Sequence, residues 1–229
     1  MSWISDFISL VYPRVCMACG ESLYKNEECI CNQCIYFLPK TNFHKEKENP
    51  VSKLFWGRVG IQHASAFYFF KKESKVQNLL HQLKYKGQKE VGVKVGSLYG
   101  SDLKQDPHYK DVSIIIPVPL HPDKEKKRGY NQSEMFALGL AQSMEIPCES
   151  KILVRNFASE TQTKKSKYKR WENVKSIFEL QDKERLKDKH ILLVDDVITT
   201  GATIEACAQH LLSVPGTKVS IAAIACSIN

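Results

Sequence analysis

The sequence contains no run of about 18 apolar residues, the length a helix needs to cross a bilayer, so no membrane span is expected. It has no Lys or Arg before Arg14, whereas a secretory leader opens on a basic stretch. A cytoplasmic setting is therefore expected, in which thiols stay reduced and disulfide scaffolds are excluded. No segment repeats and no tract is of low complexity. Also lacking is any Ser/His/Asp or Cys/His pattern suited to nucleophilic catalysis. His63, His81 and His108 have no partner pattern near them, and only His121 lies beside a segment with chemistry of its own.

What is present starts with charge. The 229 residues carry a formal net charge of +8, which attracts polyanions without specifying which one. Lys124, Lys126, Lys127 and Arg128 form one basic knot, and Lys164, Lys165, Lys167, Lys169 and Arg170 form another. Both read as loops. The length suits one α/β domain plus a small satellite module. Trp3, Ile4, Phe7, Ile8, Leu10 and Val11 recur at helical spacing and predict a short N-terminal helix.

The chain divides near residue 60: residues 1–50 hold the N-terminal helix and a cysteine module, and residues 60–229 form the main domain. Between them, residues 41–52 are rich in Lys, Glu and Asn and read as a loop or linker. Strands are expected at 63–70, 112–118, 191–194 and 218–228, and helices at 74–85, 91–103, 131–143 and about 202–213. The helix at 91–103 is weakened by Gly92, Gly96 and Gly100. Strands alternating with helices predict an α/β fold with a mostly parallel sheet flanked by helices.

Five of the eight cysteines fall between Cys16 and Cys34. Cys16 with Cys19 and Cys31 with Cys34 form paired C-x-x-C knuckles, the spacing that delivers four thiolates to a tetrahedral structural Zn²⁺. Cys29 could replace Cys31, although the spacing favours Cys31. So small a segment needs metal to fold.

The strongest local signal is the apolar run Ile191, Leu192, Leu193 and Val194, followed by Asp195 and Asp196, then Thr199, Thr200, Gly201, Ala202 and Thr203. Ligands of open α/β sheets bind at the C-terminal ends of strands. A helix start there offers unpaired N–H groups and the positive end of its dipole to an anion. Gly201 lets the backbone come close, and the threonines supply hydroxyl donors. Two carboxylates suit hydroxyl groups or hydrated Mg²⁺. A phosphate held a few ångströms from a diol describes a ribose 5-phosphate.

This segment resembles the motif of the type I phosphoribosyltransferases without a gap from Val194 to Thr203. The resemblance implies that Asp195 and Asp196 bind ribose hydroxyls, that Thr199 to Thr203 cradle the 5-phosphate, and that the ligand is 5-phosphoribosyl diphosphate (PRPP) with Mg²⁺, or another phosphoribosyl compound. In that fold a loop after an earlier strand binds pyrophosphate, which points here to Pro119 and Leu120. Arg128 can grip an oxyanion bidentately, and Asn131 and Gln132 offer neutral donors.

The stretch Pro117 to Gln132 is similar to the signature of the ComF family, which includes ComFC and GntX-like proteins. Leu83-Lys84-Tyr85-Lys86-Gly87 resembles a second family motif and brings Lys84 into the ligand set. Gln162, Thr163, Arg170, Asn173, Val174 and Phe178 resemble a third, although Lys164 and Lys165 stand where the family has a small residue and Leu. The N-terminal four-Cys zinc finger is a family feature as well. The resemblance implies transfer of a phosphoribosyl group to an unidentified acceptor, with Asp195, Asp196 and Arg128 as the catalytic set, in a protein linked to natural transformation. The alternative is a non-enzymatic DNA-handling or partner-binding protein, with single-stranded DNA or a competence helicase as partner.

Overall fold

The computed structural model describes residues 13–155 and 177–227. Its strands, among the described residues, are β1 (Ala64–Phe69), β2 (Ile114–Pro117), β3 (Leu153–Arg155), β4 (Phe178–Leu180), β5 (His190–Ile198) and β6 (Lys218–Cys226). Its helices are α1 (Asn32–Phe37), α2 (Pro50–Lys53), α3 (Lys75–Tyr85), α4 (Lys89–Lys104), α5 (Pro122–Arg128), α6 (Gln132–Met144) and α7 (Ala202–Leu212). The expected N-terminal helix lies outside the described residues.

Four strands form an all-parallel sheet in the order β1-β6-β5-β2, with Ile115 opposite Leu192 and Leu193 opposite Ile221. Parallel strands covered on both faces read as continuous apolar runs, as Ile114–Ile116 and Ile191–Val194 do. Alternate residues feed two separate cores. Ile115, Leu192, Val194 and Ala222 pack with residues of α3, α4 and α6, whereas Ile114, Ile116, Leu193 and Ala223 pack with α7 and the small β3–β4 sheet. That antiparallel pair was not foreseen, because three residues are too few to show a period.

The glycines of α4 have a reason that composition hides. A Cβ on Gly96 would lie 2.2 Å from the Phe136 carbonyl oxygen, and one on Gly139 2.0 Å from that of Val93. Gly92 and Gly100 face α6 in the same way. The row of small residues brings the two helix backbones together, and this fixes where the start of α6 stands relative to β5.

Residues 41–52 are not a free linker. Residues 39–41 pair with the outer edge of β1: the Phe69 N–H donates to the Pro39 carbonyl at 3.0 Å, and the Thr41 N–H to Phe67 at 2.9 Å. Asn49 is fully buried. Its amide donates to the carbonyls of Glu46 and Ala64, both at 2.8 Å, while its oxygen accepts from the N–H groups of Val51 and Ser52 to start α2. Polar composition suggested solvent, yet here one side chain satisfies a buried corner.

The Lys124–Arg128 knot is also helical. Pro122 occupies the first turn of α5, the His121 side chain accepts from the Asp123 N–H, and Gly129 closes the helix at φ 78°. None of its residues is buried, so α5 presents its cations to solvent.

Candidate functional site

β5 does not stop before the carboxylates. It pairs with β6 through Asp195 opposite Ala223 and Val197 opposite Ala225, so both acids sit on a rigid ladder. Asp195 Oδ1 accepts from the Ser133 hydroxyl and from the Asp196 N–H, each at 2.8 Å. Burial first, then the neighbouring Asp196 charge, push the Asp195 carboxyl up to about 7. Asp196 Oδ2 meets Lys84 Nζ at 2.8 Å, joining β5 to the last turn of α3.

Beyond β5, Thr199 and Thr200 are exposed and Gly201 caps α7 at φ 74°. A Cβ there would meet the ring of buried Phe55 at 2.9 Å, so both dihedral and space demand glycine. Asp195, Thr199, Thr200, Gly201, Ala202 and Thr203 line a small hollow of about 50 Å³ at the helix start. Arg58 braces this loop from outside. It donates to the Thr200 carbonyl at 3.1 Å and pairs with Glu205 on α7. Nothing in the sequence marks Arg58, which acts across 142 positions.

The earlier loop is tied to the same strand, since the Val118 N–H donates to the Val194 carbonyl at 2.8 Å. Pro119 and Leu120 form the half-exposed turn between β2 and α5. Asn131 and Gln132 are buried, and their amides are engaged within the fold. Asn131 donates to Val118 at 2.9 Å and caps α6, while Gln132 donates to Tyr130 at 3.1 Å and accepts from Arg128. Through these bonds they hold Arg128 and Ser133 in place. The Arg128 guanidinium lies over the Tyr85 ring, 5.4 Å from its centre.

Two larger cavities meet at Lys84 and Tyr85. One, of about 270 Å³, is lined by Lys84, Tyr85, Gly87, Lys124, Lys127 and Arg128. The other, of about 410 Å³, reaches Asp196, Val197 and Thr199. A phosphate-sized hollow, two carboxylates and a basic cavity are thus contiguous. The segment holding Gln162, Thr163, Lys164, Lys165, Arg170, Asn173 and Val174 lies outside the described residues, while Phe178 is buried in β4.

In the N-terminal module the sulfurs of Cys16, Cys19, Cys31 and Cys34 all lie within 4.8 Å of one another. The Cys31 N–H points at the Cys16 sulfur at 3.3 Å and the Cys34 N–H at the Cys31 sulfur at 3.4 Å, the orientation that stabilises thiolates. The donor set therefore fits a four-coordinate metal. Cys29 stands apart: its thiol faces the Glu90 carbonyl at 3.7 Å, and burial pushes it up to about 12.

Two of the histidines without a partner pattern in the sequence, His63 and His108, meet at the other end of the sheet. His63 stacks on His108 with ring centres 4.6 Å apart, and His108 Nδ1 lies 2.9 Å from Asp106. Sequence spacing hid a contact made through the fold.

Comparison with known proteins agrees with this geometry. A family described as "Phosphoribosyl transferase domain" matches residues 131–227, from the start of α6 to the end of β6. The chain is 27% identical to the DNA utilization protein YhgH of Escherichia coli (strain K12) over 214 residues, 90% of this chain and 87% of that protein. It is 25% identical to the competence protein ComFC of Bacillus subtilis (strain 168), covering 93% of this chain and 83% of the relative. Over most of its length the chain is thus similar to DNA utilization and competence proteins, and residues 131–227 match a phosphoribosyl transferase domain. A further relative, the competence protein F of Haemophilus influenzae, is 35% identical over 111 residues, 48% of each chain. No helix among the described residues is long and apolar enough to cross a membrane.

Proposed function

We propose that the protein binds PRPP with Mg²⁺ and transfers its phosphoribosyl group to an acceptor. One observation carries the reading: Asp195 and Asp196 stand on β5 immediately before the hollow of Thr199 to Thr203, with a cavity of four cations alongside. In this reading the 5-phosphate lies on the N–H groups and hydroxyls of the loop, and the ribose diol on the two carboxylates. The pyrophosphate lies toward Lys84, Lys124, Lys127 and Arg128. Asp195 and Asp196 would hold a hydrated Mg²⁺ beside the ligand, and the ion would supply neutralisation of charge on the leaving group.

Binding has a consequence for Lys84. It neutralises Asp196 in the ligand-free protein, and a diol on Asp196 frees it to face the pyrophosphate. Transfer breaks the bond from ribose C1 to the diphosphate oxygen, whose electron pair leaves with pyrophosphate. The acceptor supplies the pair for the new C1 bond and loses its proton to water. Positive charge building on the ribose is offset by the flanking carboxylates and phosphates.

Structural Zn²⁺ on Cys16, Cys19, Cys31 and Cys34 and a cytoplasmic location belong to the same proposal, as does the division into a module of residues 1–50 and a domain of residues 60–229. A second reading rests on α5, a helix with no buried residue whose basic side chains adjoin exposed Tyr85. Cations beside an aromatic ring suit single-stranded DNA, and the names of the relatives concern DNA utilization and competence. In that reading the PRPP site is regulatory or vestigial and the partner is single-stranded DNA or a competence helicase.

Pyrophosphate release separates the two. Release from PRPP·Mg²⁺ with a nucleobase or amine acceptor, abolished in Asp195→Asn, supports transfer. No release with any acceptor, together with salt-sensitive binding of oligothymidine, supports the second.

A further inference from the structure

We infer that the 410 Å³ cavity receives the acceptor as a flat, uncharged heteroaromatic ring, and that Gln77 and His81 select it by reading its polar edge. This rests on the phosphoribosyl-binding reading, because position gives the cavity its role. Its lining includes Asp196, Val197 and Thr199, so a molecule within it adjoins the place assigned to the ribose. It meets the basic cavity at Lys84 and Tyr85, which sets acceptor and leaving group to either side of the Lys84–Asp196 pair. Displacement at C1 needs that arrangement.

The walls define the class of occupant. Phe70, Leu80, Tyr85 and Val197 are apolar and offer flat or smooth surfaces to a ring. The volume falls within the range of about 300–1,000 Å³ typical of small-molecule sites. The permanently charged residues of the lining are Lys84 and Asp196, and they neutralise each other. A diol on Asp196 and a pyrophosphate on Lys84 would keep both engaged. A carboxylated ring would lose its hydration and find no free cation, and an aliphatic ammonium would find no free carboxylate.

Selection comes from α3. Gln77 and His81 are one turn apart and both line the cavity. The Glu73 N–H donates to Gln77 Oε1 at 2.6 Å, which orients the amide and leaves its NH₂ for a ring acceptor atom. The His81 ring packs against Tyr85 with centres 5.2 Å apart, and has no hydrogen-bond partner among the described residues. A neutral imidazole donates from one nitrogen and accepts at the other, so it can meet either a ring nitrogen or a ring N–H. In transfer a ring nitrogen gives its electron pair to C1 while the diphosphate oxygen departs with the pair of the broken bond. The displaced proton leaves for water at the mouth, where His81 and Ser227 are exposed.

The test titrates adenine, hypoxanthine, orotate and nicotinate into the full chain without PRPP, followed by saturation-transfer NMR. Gln77→Leu and His81→Leu alter residues outside the buried core, and His81→Asn restores a hydrogen-bonding edge. Expected is binding of adenine or hypoxanthine but not of orotate or nicotinate, weakened roughly tenfold in each Leu variant and partly recovered in His81→Asn. PRPP·Mg²⁺ affinity should be the same in all variants. Equal or tighter binding of the carboxylated rings, Leu variants that bind like wild type, or no binding of either neutral ring would overturn the inference. Failure of PRPP·Mg²⁺ to bind wild type would instead retire the phosphoribosyl reading, while the ring titration still decides whether this cavity selects neutral rings.

Discussion

Replacing Gly96 by Ala tests the helix crossing that positions the site. A new Cβ would stand 2.2 Å from the Phe136 carbonyl oxygen, 2.9 Å from the Leu140 nitrogen and 3.0 Å from the Gly139 Cα. All three are backbone atoms of α6, so no side chain can swing away and the helices must separate. Overpacking of this kind costs about 1–3 kcal/mol, and the better helix propensity of Ala returns at most about 1 kcal/mol. A net loss of about 1 kcal/mol, with a denaturant slope of about 2 kcal/mol/M, moves the urea midpoint down by about 0.5 M.

Separation also shifts Ser133, in the first turn of α6, away from Asp195, so PRPP·Mg²⁺ binding should weaken along with stability. Gly60→Ala is the control, because nothing lies within 4 Å of a Cβ there. Urea unfolding followed by tryptophan fluorescence gives the midpoints. A Gly96→Ala midpoint equal to that of wild type or of the control would refute the close crossing.

The raised Asp195 carboxyl makes stability depend on pH. Its value is about 7 in the fold against roughly 3.9 unfolded, so the folded state holds the proton more tightly. The resulting stabilisation is complete below about pH 4 and is lost as pH rises to about 7. Between pH 5 and 8 wild type should lose urea stability relative to Asp195→Asn. Ligand binding should run the other way, strengthening through pH 7 as the carboxylate forms, and Ser133→Ala should move that midpoint upward by removing a donor to the anion. Gly201→Ala should cost about 1–2 kcal/mol from its left-handed backbone alone, and more from contact with Phe55. Emission spectrometry should find about one zinc per chain, lost in Cys16→Ser or Cys34→Ser and kept in Cys29→Ala.

Much of the fold was legible because its strands are buried on both faces. Runs such as Ile114–Ile116 and Ile191–Val194 admit few other readings once helices alternate with them. The phosphate loop was legible because strand end, acids, threonines and glycine are contiguous in the chain. Features made by distant residues were not. Arg58 reaches Thr200, His63 stacks on His108, and Asn49 fills a corner beside Ala64, none of them announced by local pattern.

Other signals were present but outweighed. Pro122 and Gly129 bracket a helix, a signal that the density of lysines between them outweighed. β5 runs on through Asp195 and Asp196 because strand pairing with β6 depends on the backbone, not on side-chain polarity. The α4 glycines weaken the helix in isolation and become intelligible only against α6.

The central claim is that the β5 carboxylates and the loop after them hold a ribose 5-phosphate. A crystal structure of the full chain soaked with PRPP and Mg²⁺ tests it most directly. The expected result places the 5-phosphate on the N–H groups of Thr199 to Thr203, the ribose hydroxyls on Asp195 and Asp196, and the pyrophosphate toward Lys84 and Arg128. Ligand density elsewhere, or an empty loop at saturating PRPP, would contradict it.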